Sequence, residues 1–168
     1  MLLANAEANG MTKLTEQVRL DELLWDIKEE FNAQDGVQLQ MQFSELPADE
    51  ARLCITGNKP LLTLAVKNII LNAIKFSKGQ PVLCSLHFTG HTATIRITDH
   101  GIGMEQNDLK NIFEPFFRSL SAIEYPGHGV GLYITKKIID LLGGQIEVTS
   151  EPGQGSIFNI IFKQKNSF

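Results

Sequence analysis

Asn68 and Asn72 stand four residues apart on an otherwise apolar segment, and Lys75 follows one turn later. At about 100° per residue these three fall on one narrow stripe of a helix. Leu62, Val66, Ile69, Ile70, Ala73 and Ile74 take the broad opposite face, which should meet a sheet. An asparagine carbonyl is a hard oxygen, suited to a Mg²⁺ ion that keeps several waters and takes substrate phosphates. A lysine one turn on would meet those phosphates as a point charge. Both amides are poor helix formers and costly to bury without a partner. Taken alone, the stripe also fits a solvated polar face with incidental asparagines.

Three more segments follow in order. Ile95 and Ile97 mark a buried strand that ends at Asp99, with Gly101 and Gly103 immediately after. Adenine presents an exocyclic amino donor beside a ring acceptor; a carboxylate at a strand end can take that hydrogen, and glycines let the backbone approach the base. An ordinary turn explains Asp-x-Gly equally well. Ile112, Phe113, Phe116 and Phe117 put apolar surface beside Pro115. This is either a hydrophobic cluster under a loop, or a hinge or docking patch with Arg118 aimed at a γ-phosphate or a partner. Residues 119–126 read as a short flexible lid. Gly127-His-Gly129-Val-Gly131 then runs into an apolar helix from Leu132 to Leu142, where turned backbone amides and a helix N-terminus can bind phosphate. No Gly-Lys-Ser/Thr follows, so this is not a Walker loop, and no strand directly precedes it as a dinucleotide fingerprint would require.

Positioning these groups demands a sheet and helices. A helix capped by Asp21 is expected to run to about Asn32, with Leu23, Leu24, Ile27 and Phe31 at helical spacing. Val37, Leu39, Met41 and Phe43 alternate with glutamines as a half-buried strand, and Arg52–Thr56 is a second short strand. Pro60 suits the first turn of a helix that reaches Ser77, ended by Lys78-Gly79. Residues 82–88 and 92–98 pair as a hairpin through Thr89-Gly90. The stretch 99–128, apart from a short helix near Gln106–Ile112, is a loop long enough to suggest function. A helix over Gly129–Leu142 stops at Gly143-Gly144. Strands 145–149 and 156–163 flank the Gly153/Gly155 turn. The fold class expected is α+β, a two-layer sandwich of a mixed, mostly antiparallel sheet with about three helices on one face.

The bulk properties set limits. A chain of 168 residues with 43% hydrophobic and 20% charged residues suits one soluble domain. A net charge of −4 with scattered lysines offers no basic footprint for nucleic acid. No apolar run approaches a membrane span and no signal peptide opens the chain. Cys54 and Cys84 have neither metal-ligand nor disulfide spacing and read as reduced thiols; the four histidines are dispersed.

With all segments placed, residues 20–163 resemble the ATP-binding catalytic domain of bacterial sensor histidine kinases, in the Bergerat-fold (GHKL) ATPase superfamily. Asn68-Ile-Ile-Leu-Asn72-Ala-Ile-Lys75-Phe76-Ser77 is similar to its N box, Asp99-His-Gly101-Ile-Gly103-Met to the G1 box and Ile112–Arg118 to the F box. Gly127-His-Gly129-Val-Gly131-Leu132 is similar to the G2 box, and Gly153-Gln-Gly155-Ser156-Ile-Phe158 to the last glycine box. The resemblance implies ATP and Mg²⁺ as cofactors. It implies that Asn72 ligates the metal with Asn68 beside it, that Lys75 contacts phosphate and that Phe76 packs near the base. Asp99 would bind the adenine amino group, with Gly101 and Gly103 in its loop. Gly127, Gly129, Val130, Gly131 and Leu132 would hold the phosphates and hinge an ATP lid. Asn68, Lys75 and Arg118 would serve transfer itself.

His100 stands where the family usually has asparagine, and the family's phosphoacceptor histidine motif is absent. Residues 1–20 therefore read as the tail of a preceding dimerisation helix with its linker, and 21–168 as the catalytic domain. The implied partners are a dimerisation and histidine-phosphotransfer domain outside this chain and a response regulator receiver domain. No nucleic acid, no membrane contact by this domain and a monomeric fragment are expected. The implied location is cytoplasmic, with inner-membrane anchoring of the full-length protein left open. Other readings are a related ATPase or serine kinase of the superfamily, or a degenerate nucleotide-sensing or docking module.

Overall fold

A computed structural model describes residues 16–32, 38–44 and 46–163. The central sheet has five strands in the order β2-β4-β5-β7-β6: β2 (Leu39–Phe43), β4 (Val82–Thr89), β5 (Thr92–Asp99), β6 (Gln145–Glu151) and β7 (Gly155–Lys163). β2 runs parallel to β4 and every other neighbour is antiparallel. Alternation decides the faces: Val82, Cys84, Leu86, Ala93, Ile95, Ile97, Phe158, Ile160 and Phe162 turn inward and are buried, while Thr94, Arg96 and Asn159 occupy the other side. Burial pushes the Cys84 thiol up to about 12, and both cysteines are free thiols.

Helices cover the inner face. α1 (Leu20–Asn32) buries Leu20, Leu23, Leu24, Ile27 and Phe31. It starts one residue before Asp21, so Asp21 lies in the first turn and not at the cap position. There its carboxylate accepts from Arg19 Nη2 at 2.8 Å, and that bond holds the acid below the usual carboxylate range. α2 (Lys59–Phe76) opens with Asn58, whose Oδ1 accepts from the Leu61 amide at 2.9 Å. It closes at Ser77, whose hydroxyl donates to the Ile74 carbonyl at 2.9 Å. Leu62, Ala65, Val66, Ile69, Ile70 and Ala73 are buried against the sheet.

Residues expected to form a helix to Ile112 give only α3 (Gln106–Leu109), followed by turns. α4 (Gly131–Leu141) starts two residues later than expected, which leaves Gly129 in the loop. Of the expected tail and linker, residues 1–15 lie outside the described residues. Glu16–Arg19 form strand β1, which pairs antiparallel with β3 (Cys54–Gly57) as a separate two-stranded sheet. The predicted strand at Arg52–Thr56 thus begins at Cys54, after a 3-10 turn over Glu50–Leu53. Among the described residues no helix is long and apolar enough to cross a membrane.

Candidate functional site

The polar stripe of α2 faces α4 and the loop between β5 and α4. Asn68, Asn72 and Lys75 are half-buried there and line a cavity of 360 Å³, with Phe76, Arg118, Gly127, Gly129, Val130, Gly131 and Leu132 around it. Two cationic side chains, Lys75 and Arg118, line this cavity, and no carboxylate does. Among the described residues Lys75 has no acidic partner. Burial and the neighbouring Arg118 charge lower its pKa from the ordinary 10.5. Its Nζ sits 4.5 Å from the centre of the Phe76 ring and beside the Gly127 backbone, where a Cβ would approach within 3.1 Å. Clustered cations without a counter-charge are the electrostatic signature of an anion site.

Both asparagine amides lie on the wall of this cavity. Asn68 Nδ2 donates toward the Gly131 carbonyl at 3.5 Å and Thr135 Oγ1 at 3.4 Å. Thr135, fully buried, donates in turn to the Ala65 carbonyl at 3.5 Å. With its nitrogen so engaged, Asn68 keeps its carbonyl oxygen as the free acceptor. Asn72 lines both this cavity and the next one. Neutral hard-oxygen donors beside clustered cations fit Mg²⁺, which takes few protein ligands and retains waters.

Asp99 lies at the end of β5, 4% exposed, in an adjoining notch of 60 Å³ lined also by Asn72, Ala73, Phe76, Gly103 and Phe158. Burial raises its pKa, while bonds from the Gly101 and Ser156 amides and the Ser156 hydroxyl work in the opposite direction. The Gly101 bond measures 2.9 Å. Ser150 supports the same corner: its hydroxyl donates to the Gly155 carbonyl at 2.7 Å, lies 3.0 Å from Ser156 Oγ and accepts from the Met104 amide at 2.9 Å.

Most of the residues singled out in the sequence converge on these two cavities. Gly101 lines neither. It is pressed against the end of α2, where a Cβ would fall 2.1 Å from the Phe76 carbonyl, so its part is to let the Asp99 loop dock on that helix. Arg118 reaches the cavity wall, but its Nη2 donates to lid carbonyls at Ala122, Ile123 and Tyr125. His100 is exposed and lines neither cavity. Sequence reasoning missed His128, Met104, Thr135, Ser150, Ser156 and Tyr125. His128, Met104 and Ser156 had a local signal, since each lies inside one of the quoted glycine segments; Thr135, Ser150 and Tyr125 enter through contacts that no motif marks.

Residues 57–166 match the family model described as histidine kinase-, DNA gyrase B-, and HSP90-like ATPase. The heme sensor protein HssS of Staphylococcus saprophyticus is 33% identical over 167 residues, covering 98% of this chain and 35% of that protein. Sensor histidine kinase RcsC of Escherichia coli is 32% identical over 110 residues, 64% of this chain and 12% of RcsC. The chain thus spans at most about a third of either relative's length. The solved structure of the mycobacterial sensor histidine kinase MprB superposes with a TM-score of 0.69 at 25% identity, over 89% of this chain and 97% of that one.

Proposed function

The chain belongs to the histidine kinase-, DNA gyrase B-, and HSP90-like ATPase family, and on that premise we propose that it binds Mg-ATP and donates the γ-phosphoryl group to a histidine outside this chain. One observation carries the reading: an acid-free cavity holding Lys75, Arg118 and two asparagine amides adjoins a notch that contains a buried carboxylate. The first suits a polyphosphate with its metal and the second an adenine amino group, and the two share Asn72 and Phe76 of α2 in their linings.

In this assignment Asp99 accepts the adenine amino hydrogen and Phe76 packs against the base. Lys75 and the amides of Gly127–Leu132 take the phosphates. Asn72, with Asn68 beside it, would hold Mg²⁺, which when bound neutralises charge on the phosphate oxygens. Transfer forms a bond from an imidazole nitrogen to the γ-phosphorus and breaks the bond to the β–γ bridging oxygen, so ADP leaves. Phosphoryl transfer asks the protein mainly for positioning and charge neutralisation, which this set of residues can supply. His87, His91, His100 and His128 lie in contexts unlike the family's phosphoacceptor, so the acceptor belongs to a dimerisation domain, from which a response regulator would draw the phosphate.

The test is transfer from γ-labelled ATP to a separately supplied dimerisation domain. Labelling of that domain is expected with Mg²⁺, while the chain alone takes up little label. Asn72→Ala should bind ATP without the Mg²⁺ requirement and transfer at least about a hundredfold more slowly. Robust labelling of the chain itself would overturn the division into donor and acceptor.

A further inference from the structure

Residues 119–126 connect Arg118 to the glycine loop, and two contacts hold them down. Arg118 Nη2 donates to the carbonyls of Ala122 at 2.6 Å, Ile123 at 3.0 Å and Tyr125 at 2.6 Å. The Tyr125 ring meets Phe76 edge-on, with centroids 4.9 Å apart and planes at 61°. Burial does not hold this segment, because Leu120 and Ile123 expose 86% and 56% of their surface. Guanidinium hydrogen bonds and one aromatic pair are therefore the latch.

The latch shuts one end of the site in particular. Ser119 and Ala122 line both the 360 Å³ cavity and the 60 Å³ notch around Asp99, so the segment borders both, together with Asn72, Phe76 and Met104. A notch of 60 Å³ admits a few waters, whereas small-molecule sites span roughly 300–1,000 Å³. A purine reaches Asp99 only after the segment lifts and Tyr125 leaves the Phe76 ring. Arg118 lines the cavity assigned to the phosphates, and a guanidinium prefers a phosphate to neutral carbonyls, because the anion adds charge attraction and bidentate geometry to the hydrogen bonds.

We infer that Arg118 and Tyr125 latch residues 119–126 across the base pocket, and that the phosphate chain of the incoming nucleotide releases the latch by taking Arg118. Arg118 then sets the preference for a nucleoside polyphosphate over a bare nucleoside, while Tyr125 adds a closing cost that both ligands share. This rests on the nucleotide reading above. Adenosine must open the latch and gains nothing from Arg118; ATP recovers the cost through the same side chain. A ligand's apparent affinity is reduced by the fraction of protein held in the closed state.

The test separates the latch from the ligand. In nucleotide-free protein the amides of Ala122, Ile123 and Tyr125, each bonded within the segment, should exchange slowly with deuterium. Arg118→Ala and Tyr125→Ala should each accelerate that exchange. In binding, Tyr125→Ala should tighten adenosine and ATP by the same factor, about three- to tenfold. Arg118→Ala should tighten adenosine about tenfold and weaken ATP, so the two ligands move in opposite directions. Fast exchange in the wild-type segment overturns the latch whether or not ATP binds. Slow exchange with no binding of either ligand overturns the nucleotide reading and the selectivity with it. Equal changes for adenosine and ATP in Arg118→Ala overturn the role of the phosphate.

Discussion

Asp99 is the residue on which the proposed adenine contact rests. Burial raises its pKa above the ordinary 3.8, so the stability this group contributes is full below that value and is lost as pH rises through the raised one. At neutral pH the ionised carboxylate is a net burden on the folded state, and Asp99→Asn should leave the melting temperature unchanged or higher. An ionised Asp99 is the better acceptor, so adenosine affinity should fall as the solution is acidified through the raised pKa of this carboxyl. Adenosine isolates this arm because it has no phosphate to titrate. Lys75 sets the other arm. Its pKa is lowered by burial and by Arg118, so it discharges at a pH below 10.5 and ATP affinity should fall there while adenosine affinity does not. Titrations of affinity against pH with both ligands check the two arms separately. The residue types behind this pair, a strand-end aspartate and a stripe lysine, were legible in the chain. The commitment of Arg118 to lid carbonyls was not, because three main-chain acceptors leave no mark in a sequence.

The elements divide in the same way. α2 was legible to within a residue at its end, since Asn58, Pro60 and Lys78-Gly79 punctuate a strong apolar period. The β4–β5 hairpin and the β6–β7 pair declared themselves through alternation and glycine turns. β1 did not: Glu-Gln-Val-Arg has no apolar alternation, and it becomes a strand only because Cys54–Gly57 offer it an edge. The β6–β7 turn gives a contrast in magnitude. Gly155 has φ +90 and an added Cβ there would lie 2.0 Å from the Asp99 carbonyl oxygen. Gly153 has φ +76 with nothing within 4 Å. Gly153→Ala should cost about 1 kcal/mol, the strain of the left-handed backbone alone. Gly155→Ala adds a clash with rigid backbone, so about 3 kcal/mol or more and a fall of about 10 °C in melting temperature are expected. Thermal melts of the two variants check this; equal losses would show that the β7–Asp99 contact is less tight than described.

At the scale of the molecule, one sheet face is packed and the other carries polar residues such as Arg96 and Asn159, so the helices that cover the core also build the site. α2 and α4 present the amides, the lysine and the glycine loop on one side, and β5 delivers the carboxylate to the same corner. This convergence explains why four segments, each with an ordinary structural reading, act together. Under the proposed function, the same convergence gathers the groups that would hold Mg-ATP, with the acceptor histidine on another domain. Calorimetry of the wild-type chain and Asp99→Asn with ATP, with and without Mg²⁺, tests that claim most directly. One ATP per chain with Mg²⁺-dependent heat in the wild type is predicted. The variant, which can point an amide NH₂ at adenine's own donor, should lose about a hundredfold or more in affinity. Undiminished binding by Asp99→Asn, or no metal-dependent heat in the wild type, would contradict the account.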